Sequence, residues 1–317
     1  MLHSRARGAA FLLLMTVFIS CSEQPTAPNF EPKLVVNGFL KLGSGVDSIM
    51  VSRTVPIDQK FDPALSRVTD AVVRIRRAGG RWQQLAQYPP APIRGAQGNV
   101  IAQTGGVYYL PKDSLEVEAA TTYELSVAAL GQHVTAQTTV PEQLEIIEMN
   151  RGERFGERPL FFDDDTIEYV SGASFADAPF FTVFWNHVPN VTIYRMLADA
   201  DNGEFANVIR DTTTAANIFK EDLEKREEPF GFNIADDVNL QPMRGRIIWL
   251  YYYFYGWHTM RLLAVDEAYA RYQQGQFAEE QIQETPRSNI NGGFGVFASY
   301  SEVSWRVYVK KGPLSEP

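Results

Sequence analysis

From residue 34 onward, apolar and polar residues alternate in short runs, the period-two pattern that sets one face of a strand in a core and the other in water. Leu34-Val35-Val36-Asn37-Gly38-Phe39-Leu40 opens the series, and Asp47-Ser48-Ile49-Met50-Val51-Ser52-Arg53 follows after a glycine-containing turn. In Ala71-Val72-Val73-Arg74-Ile75-Arg76-Arg77, residues Ala71, Val73 and Ile75 share one face, and Val72, Arg74 and Arg76 the other. Ala78-Gly79-Gly80 then turns the chain into Arg81-Trp82-Gln83-Gln84-Leu85, because glycine accepts positive φ without steric cost. Gly106-Val107-Tyr108-Tyr109-Leu110 is a further strand. The clearest pair comes last: Tyr123, Leu125, Val127 and Ala129 run out, Gly131-Gln132 turns, and Val134, Ala136 and Thr138 return. About seven strands at this spacing, without helical periodicity, predict a Greek-key sandwich of immunoglobulin-like type that ends at Val140-Pro141.

Beyond that point the pattern is less uniform. Leu144 to Glu148, Phe180 to Trp185 and Val191 to Met196 read as strands, and Arg246 to Tyr255 and Val303 to Val309 as longer ones. Helical pieces are predicted at Ile218 to Arg226 and at Asp266 to Gln274, the second with early acids and Gly275 as a stop. The predicted fold class is therefore mainly β: an immunoglobulin-like sandwich over residues 34–142, then a second β-rich domain with a few short helices over 143–317. No fixed-period repeat joins the two.

The chain's start follows a different logic. His3, Arg5 and Arg7 precede an apolar run from Ala9 to Ile19, too short to span a bilayer, which needs roughly 20 apolar residues. Residues 1–20 read as an export signal. Phe18-Ile19-Ser20-Cys21 resembles the bacterial lipobox, in which the cysteine sulfur receives a diacylglyceryl group and the peptide is cut just before it. Cys21 is the chain's one cysteine, so an exported protein that could have used disulfides has none. Residues 22–32 hold three prolines and little to bury, and read as an extended tether reaching about 3.1 Å per residue. Ser22 after the cysteine, by resemblance to Gram-negative lipoprotein sorting, favours the outer membrane.

Charge narrows the partners. Loss of residues 1–20 removes Arg5 and Arg7 and no acid, moving the formal charge from −9 to −11. Such a balance disfavours nucleic acid, itself negative. Candidate chemistry is sparse. His133, His187 and His258 are isolated in sequence, none at metal-ligand spacing from another, and no Gly-x-Ser-x-Gly elbow is present. Two acidic clusters have the oxygen ligands calcium prefers, Asp163-Asp164-Asp165 and Asp199-Ala200-Asp201-Asn202-Gly203-Glu204. The second has its glycine at the fifth place and Arg210 at the twelfth, where a calcium loop needs glutamate, so both read as solvated turns. Asn291-Gly292-Gly293-Phe294-Gly295 has no adjacent lysine and lacks the strand-then-helix setting of a phosphate loop, and reads as a turn or bulge entering a last hairpin. No catalytic residue, cofactor or metal site is assigned.

The run Trp249-Leu250-Tyr251-Tyr252-Tyr253-Phe254-Tyr255-Gly256-Trp257 stands out. As one strand it puts Trp249, Tyr251, Tyr253, Tyr255 and Trp257 on one face and Leu250, Tyr252 and Phe254 on the other. One face is core. The other is either covered by the helix after Asp266 or exposed as a platform for a sugar or a partner protein, with Tyr251, Tyr253, Tyr255 and Trp257 as ligand-binding candidates.

Leu34-Val35-Val36-Asn37-Gly38, Val51-Ser52-Arg53, Gly106-Val107-Tyr108, the aromatic run leading to Asp266-Glu267-Ala268-Tyr269, and Asn289 to Phe297 together resemble the lipoproteins grouped as domain-of-unknown-function family 4249, found in Bacteroidota. The resemblance spans nearly the whole mature chain, and the late glycine-rich segment is its most specific part. It implies an amino-terminal domain similar to carboxypeptidase-regulatory-like sandwiches, an envelope location, no established activity, and association with outer-membrane nutrient receptors. The expected function is a non-catalytic binding or accessory lipoprotein, held to the membrane through lipidated Cys21 and meeting an outer-membrane (TonB-dependent) receptor or a glycan. A structural or adhesive envelope protein is the alternative, and a hydrolase a third.

Overall fold

The computed structural model describes residues 30–56, 59, 62, 66–90, 92–94, 100–103, 105–151, 165–169, 180–201, 230–237, 239–248, 252, 254–276 and 288–311. In chain order the first strands are β1 (Leu34–Lys41), β2 (Val46–Arg53), β3 (Val72–Arg77), β4 (Gln83–Gln84), β5 (Ala86–Gln87), β6 (Pro92–Arg94) and β7 (Val100–Gln103). Next come β8 (Val107–Leu110), β9 (Thr122–Ala129), β10 (Gln132–Thr139), β11 (Ile146–Arg151), β12 (Asp165–Tyr169) and β13 (Phe180–Trp185). The last are β14 (Ile193–Ala200), β15 (Phe230–Ala235), β16 (Met243–Ile248), β17 (Gly256–Val265), the helix α1 (Glu267–Gln276) and β18 (Phe294–Lys311). The predicted helix at Ile218 to Arg226 lies outside the described residues.

The strands make a nine-stranded sheet in the order β15-β14-β17-β18-β1-β2-β8-β5, with β12 also on β18, and smaller sheets β10-β9-β3-β4, β11-β13-β16 and β6-β7. Two sandwiches result, and the large sheet is common to both. Against the four-stranded sheet it closes a core of Leu34, Val36, Ile49, Val51, Val73, Ile75, Tyr123, Leu125 and Val127, to which Ile290 and Phe297 also belong. Against β11-β13-β16 it closes a second core of Trp185, Tyr194, Met196, Met260, Leu262, Trp305 and Val307. Each fully buried aliphatic side chain contributes about 1.5–3 kcal/mol, so both cores are substantial.

The spine is β18. Phe294 to Tyr300 run parallel to β1, and Tyr300 to Val309 pair antiparallel with β17. Its odd-numbered residues face the cores, Phe297 the first and Trp305, Val307 and Val309 the second. A parallel neighbour for the first strand therefore comes from the far end of the chain. This corrects the expected last hairpin. The glycine-rich segment instead delivers β18 alongside β1, and Gly295 is required there: its φ is +105°, and a Cβ would lie 2.1 Å from the Val36 carbonyl oxygen. Asn289 secures the entry, its Oδ1 accepting from the Phe297 amide at 2.9 Å and its Nδ2 donating to the carbonyls of Phe297 and Gln137 at 2.7 and 3.1 Å.

Local signals hold well in the first sandwich. Arg74 and Ile75 pair with Gln84 and Gln83 across the glycine turn, with Val73 and Ile75 fully buried and Val72 exposed. The β9–β10 turn is centred one residue earlier than predicted, on Leu130 and Gly131, both at positive φ (53° and 70°), which suits a tight two-residue hairpin. Tyr123 ties the start of β9 to the preceding loop: its hydroxyl accepts from the Glu118 amide at 2.9 Å and donates to the Glu116 carbonyl at 3.0 Å. Tyr194 does the same work in the second sandwich, accepting from the Val188 amide at 2.9 Å. Hydroxyl-to-backbone ties of this kind recur at the corners of immunoglobulin-like sandwiches.

Candidate functional site

A cavity of about 1210 Å³ lies where the two sandwiches meet. The end of β10 (Gln137 to Thr139), the link Val140-Pro141-Glu142, the turn Pro189-Asn190-Val191, the first turns of α1 and the segment around Asn289 enclose it. Pro141 turns the chain away from β10, and Asn190 holds φ +62°, a left-handed conformation that asparagine tolerates well.

Its floor is a buried polar cluster that bridges elements far apart in sequence. Thr138 on β10, 4% exposed, donates from Oγ1 to Asp266 Oδ2, a partner 128 residues away. Thr138 Oγ1 also meets Ser299 Oγ of β18 at 2.7 Å, and Ser299 Oγ donates to the Thr139 carbonyl at 3.1 Å. Asp266 caps α1, its Oδ1 accepting from the Tyr269 amide at 2.8 Å. Burial holds the Asp266 carboxyl above the ordinary carboxylate range, opposed by the hydrogen bonds from Thr138 and the Tyr269 amide. Thr138 and Ser299 thus tie β10, β18 and the start of α1 together at one point.

At the mouth, Arg271 pairs with Glu267 one helical turn away, and Gln137, Asn190 and Glu142 stand exposed. Amides and one ion pair face the space, and no aromatic ring is among the described residues that line it. Such a lining can hydrogen-bond a polar chain. Its described residues offer no ring for a sugar to stack on.

The sequence candidates fall elsewhere. Cys21, Tyr251 and Tyr253 lie outside the described residues. The aromatic run is not one strand: β16 ends at Ile248 in the three-stranded sheet, and β17 begins at Gly256, φ +108°, in the nine-stranded one. The face-by-face reading of 249–257 is therefore corrected, because a chain that changes sheets does not keep one alternation. Tyr252 is buried, and burial pushes its hydroxyl well up; it meets the buried His258 edge-on at 5.1 Å. Burial in turn lowers His258. Tyr255 packs half-buried against the second core. Trp257 is half-buried on the outer face, edge-on to Tyr308 at 5.1 Å and under the Arg306 guanidinium at 4.6 Å.

Acids from the second cluster are already engaged. Asp201 accepts from Arg306 and, at 3.0 Å, from Thr259, while Asp199 lies 3.5 Å from Arg261. Asp163 and Asp164 lie outside the described residues, and among the described ones no group of three His, Cys, Asp or Glu side chains is placed to hold a metal ion. His133 meets Ser126 at 2.9 Å across the β9–β10 hairpin, and His187 meets Asp236 at 3.0 Å in the other sandwich. The fold keeps these pairs apart, so no Ser-His-Asp set forms from them. Thr138, Asp266 and Ser299 were missed as a group. Only Asp266 carried a sequence signal, as an acid opening a helix.

The architecture defines a mainly β protein of sandwich class, with two cores on one shared sheet. Residues 22–306 match the family described as Domain of unknown function (DUF4249), and the chain belongs to that family. No curated protein sequence matches it. Among solved structures it is similar to the FN1-FN3 domains of chicken CNTN1, at 8% identity and a TM-score of 0.19, over 87% of this chain and 68% of that one. A score that low carries no fold argument, and the sandwich assignment rests on the sheets themselves.

Proposed function

We propose that this protein is an outer-membrane lipoprotein of a Bacteroidota-type envelope, anchored through lipid on Cys21 and acting as a non-catalytic accessory module that docks a polar polypeptide segment in the junction groove. The observation that carries the anchor is the sequence at residues 18–21: a lipobox-like tetrapeptide closing an apolar export segment, with the chain's sole cysteine at its last place. The family match begins at residue 22, directly after it, and among the described residues no helix is long and apolar enough to cross a membrane. Several acyl chains, each buried methylene contributing about 0.8 kcal/mol, would hold the chain firmly. An outer-membrane nutrient receptor of the TonB-dependent kind is the partner this reading favours over a glycan, since the groove has amides and an ion pair where a sugar site has rings.

The test has two parts. Mass spectrometry of the mature amino terminus should find a diacylglyceryl-modified Cys21; an intact residue 1 or an unmodified thiol refutes the anchor. Affinity purification in mild detergent should bring a TonB-dependent receptor with the wild-type chain and much less with Asn190→Trp, which fills the groove mouth. Equal recovery refutes the groove as the docking place.

A further inference from the structure

The end of the first sandwich where the tether departs gathers exposed apolar side chains. Gln132, at the start of β10, grips the incoming chain: its Nε2 donates to the Pro32 carbonyl at 2.7 Å, and its Oε1 accepts from the Leu34 amide at 3.3 Å. Leu130 is at the hairpin tip beside Gln132, and Val72 pairs with Ala128 just below that tip. Phe30, Val72 and Leu130 are 46%, 38% and 42% exposed, and they are half of the six large hydrophobic side chains left exposed among the described residues. Single exposed apolar residues are ordinary, but these three lie at one end of the sandwich, where the chain enters. Leucine at position 130 is also a poor choice for the backbone, since φ +53° suits glycine or asparagine better. Neither the turn nor solvation asks for it.

Orientation comes from β18. It runs parallel to β1 from Phe294 to Tyr300 and continues away from this end into the second sandwich, 18 residues in all, about 60 Å at roughly 3.3 Å each. Eight residues, 22–29, separate Cys21 from Phe30 and reach about 25 Å at about 3.1 Å each. A patch of three side chains is too small to recruit a protein from solution. On a tether this short its effective concentration at the bilayer is in the millimolar range, enough for a weak contact to set the pose. Lys33, just before β1, and Arg53, which ends β2 opposite Leu34, supply cations for headgroup phosphates on this side, with Glu31 and Asp70 among them, so the contact is apolar first.

We propose that Phe30, Val72 and Leu130 form a bilayer seat, which presses the tether end of the first sandwich into the lipid interface and stands the molecule with its second sandwich away from the membrane. This rests on the lipidated Cys21 of the preceding reading. The test uses the full lipidated chain in phosphatidylethanolamine vesicles containing a minor share of phosphatidylglycerol. The Cys21 sulfur is blocked by its lipid, so a polarity-sensitive thiol dye labels only a new cysteine: Leu130→Cys at the seat, or Ala78→Cys beyond the opposite end of β3. Brominated lipid should quench the label at 130 several-fold more than the label at 78, and Phe30→Ser with Val72→Ser, checked for an unchanged circular dichroism spectrum, should abolish the difference. Equal quenching at the two positions in protein that floats with the vesicles overturns the seat alone. So does a difference that survives the double substitution. A chain that does not float and exposes a free Cys21 thiol refutes the anchor, and the seat falls with it. Protection of position 130 in native envelopes but not in pure lipid overturns the seat in favour of a protein partner.

Discussion

The two sandwiches bury cores of different make-up. Among the described residues, the first is built mainly from Leu, Val and Ile with Tyr108, Tyr123 and Phe297, and holds neither Met nor Trp. The second takes in Met149, Met196, Met243 and Met260 together with Trp185 and Trp305. β-Branched residues have few rotamers and fit a regular pleated face, whereas methionine bends to fill irregular gaps around large rings. The difference follows connectivity. Most of the first core comes from hairpins and near neighbours, while the second is assembled from strands separated by long connections, where side chains must accommodate faces far apart in sequence.

Substitutions can press on that contrast. The largest effect is expected at Trp185, fully buried and edge-on to Tyr194 at 5.3 Å: Trp185→Ala should destabilise by about 3–5 kcal/mol in chemical denaturation. Because β18 belongs to both cores, calorimetry of this variant should still record one transition. Two resolved transitions would make the sandwiches independent units.

A smaller effect separates the two tyrosine ties. Tyr194→Phe strands the Val188 amide in a buried setting and should cost about 1–3 kcal/mol, while Tyr123→Phe leaves a part-buried amide that water can reach and should cost less. Urea midpoints for the two variants decide this, and a larger loss at Tyr123 would reverse the comparison.

The smallest effect is a pH dependence at the junction. The folded state holds the Asp266 carboxyl above its unfolded value, so the stability it contributes is fully present below about pH 3.9 and is lost as pH rises through the folded value. Asp266→Asn keeps an acceptor for the Tyr269 amide and offers an N–H to Thr138, imitating the neutral acid without titrating. The melting temperature of the variant minus that of the wild type should therefore grow more positive from pH 4 upward. A flat difference would mean that folding does not raise the Asp266 carboxyl.

Legibility varied with sequence distance. The β3–β4 and β9–β10 hairpins were readable because each is specified within about twenty residues: alternation fixes the faces and a glycine fixes the turn. The aromatic run misled because alternation says which residues share a face only while the chain stays in one sheet, and nothing in residues 249–257 announces the change at Gly256. The helix after Asp266 was found, yet Gly275 lies inside it rather than ending it, since packing of α1 on β18 outweighs a cost of about 1 kcal/mol for a helical glycine. Asn289, whose side chain ties β18 to Gln137 of β10, looked like one more loop residue.

By itself the sequence determined the mainly β class, the alternation that selects Val73, Ile75, Leu125 and Val127 for a core, and the turn chemistry at Gly79 and Gly131, because each of these acts between near neighbours. Tertiary structure alone decided that the last strand lies beside the first, that one sheet spans both sandwiches, and that Thr138, Asp266 and Ser299 share a buried cluster. Those depend on which distant surfaces meet, and the energy that selects among meetings is the burial of whole faces, a property no local stretch of sequence carries.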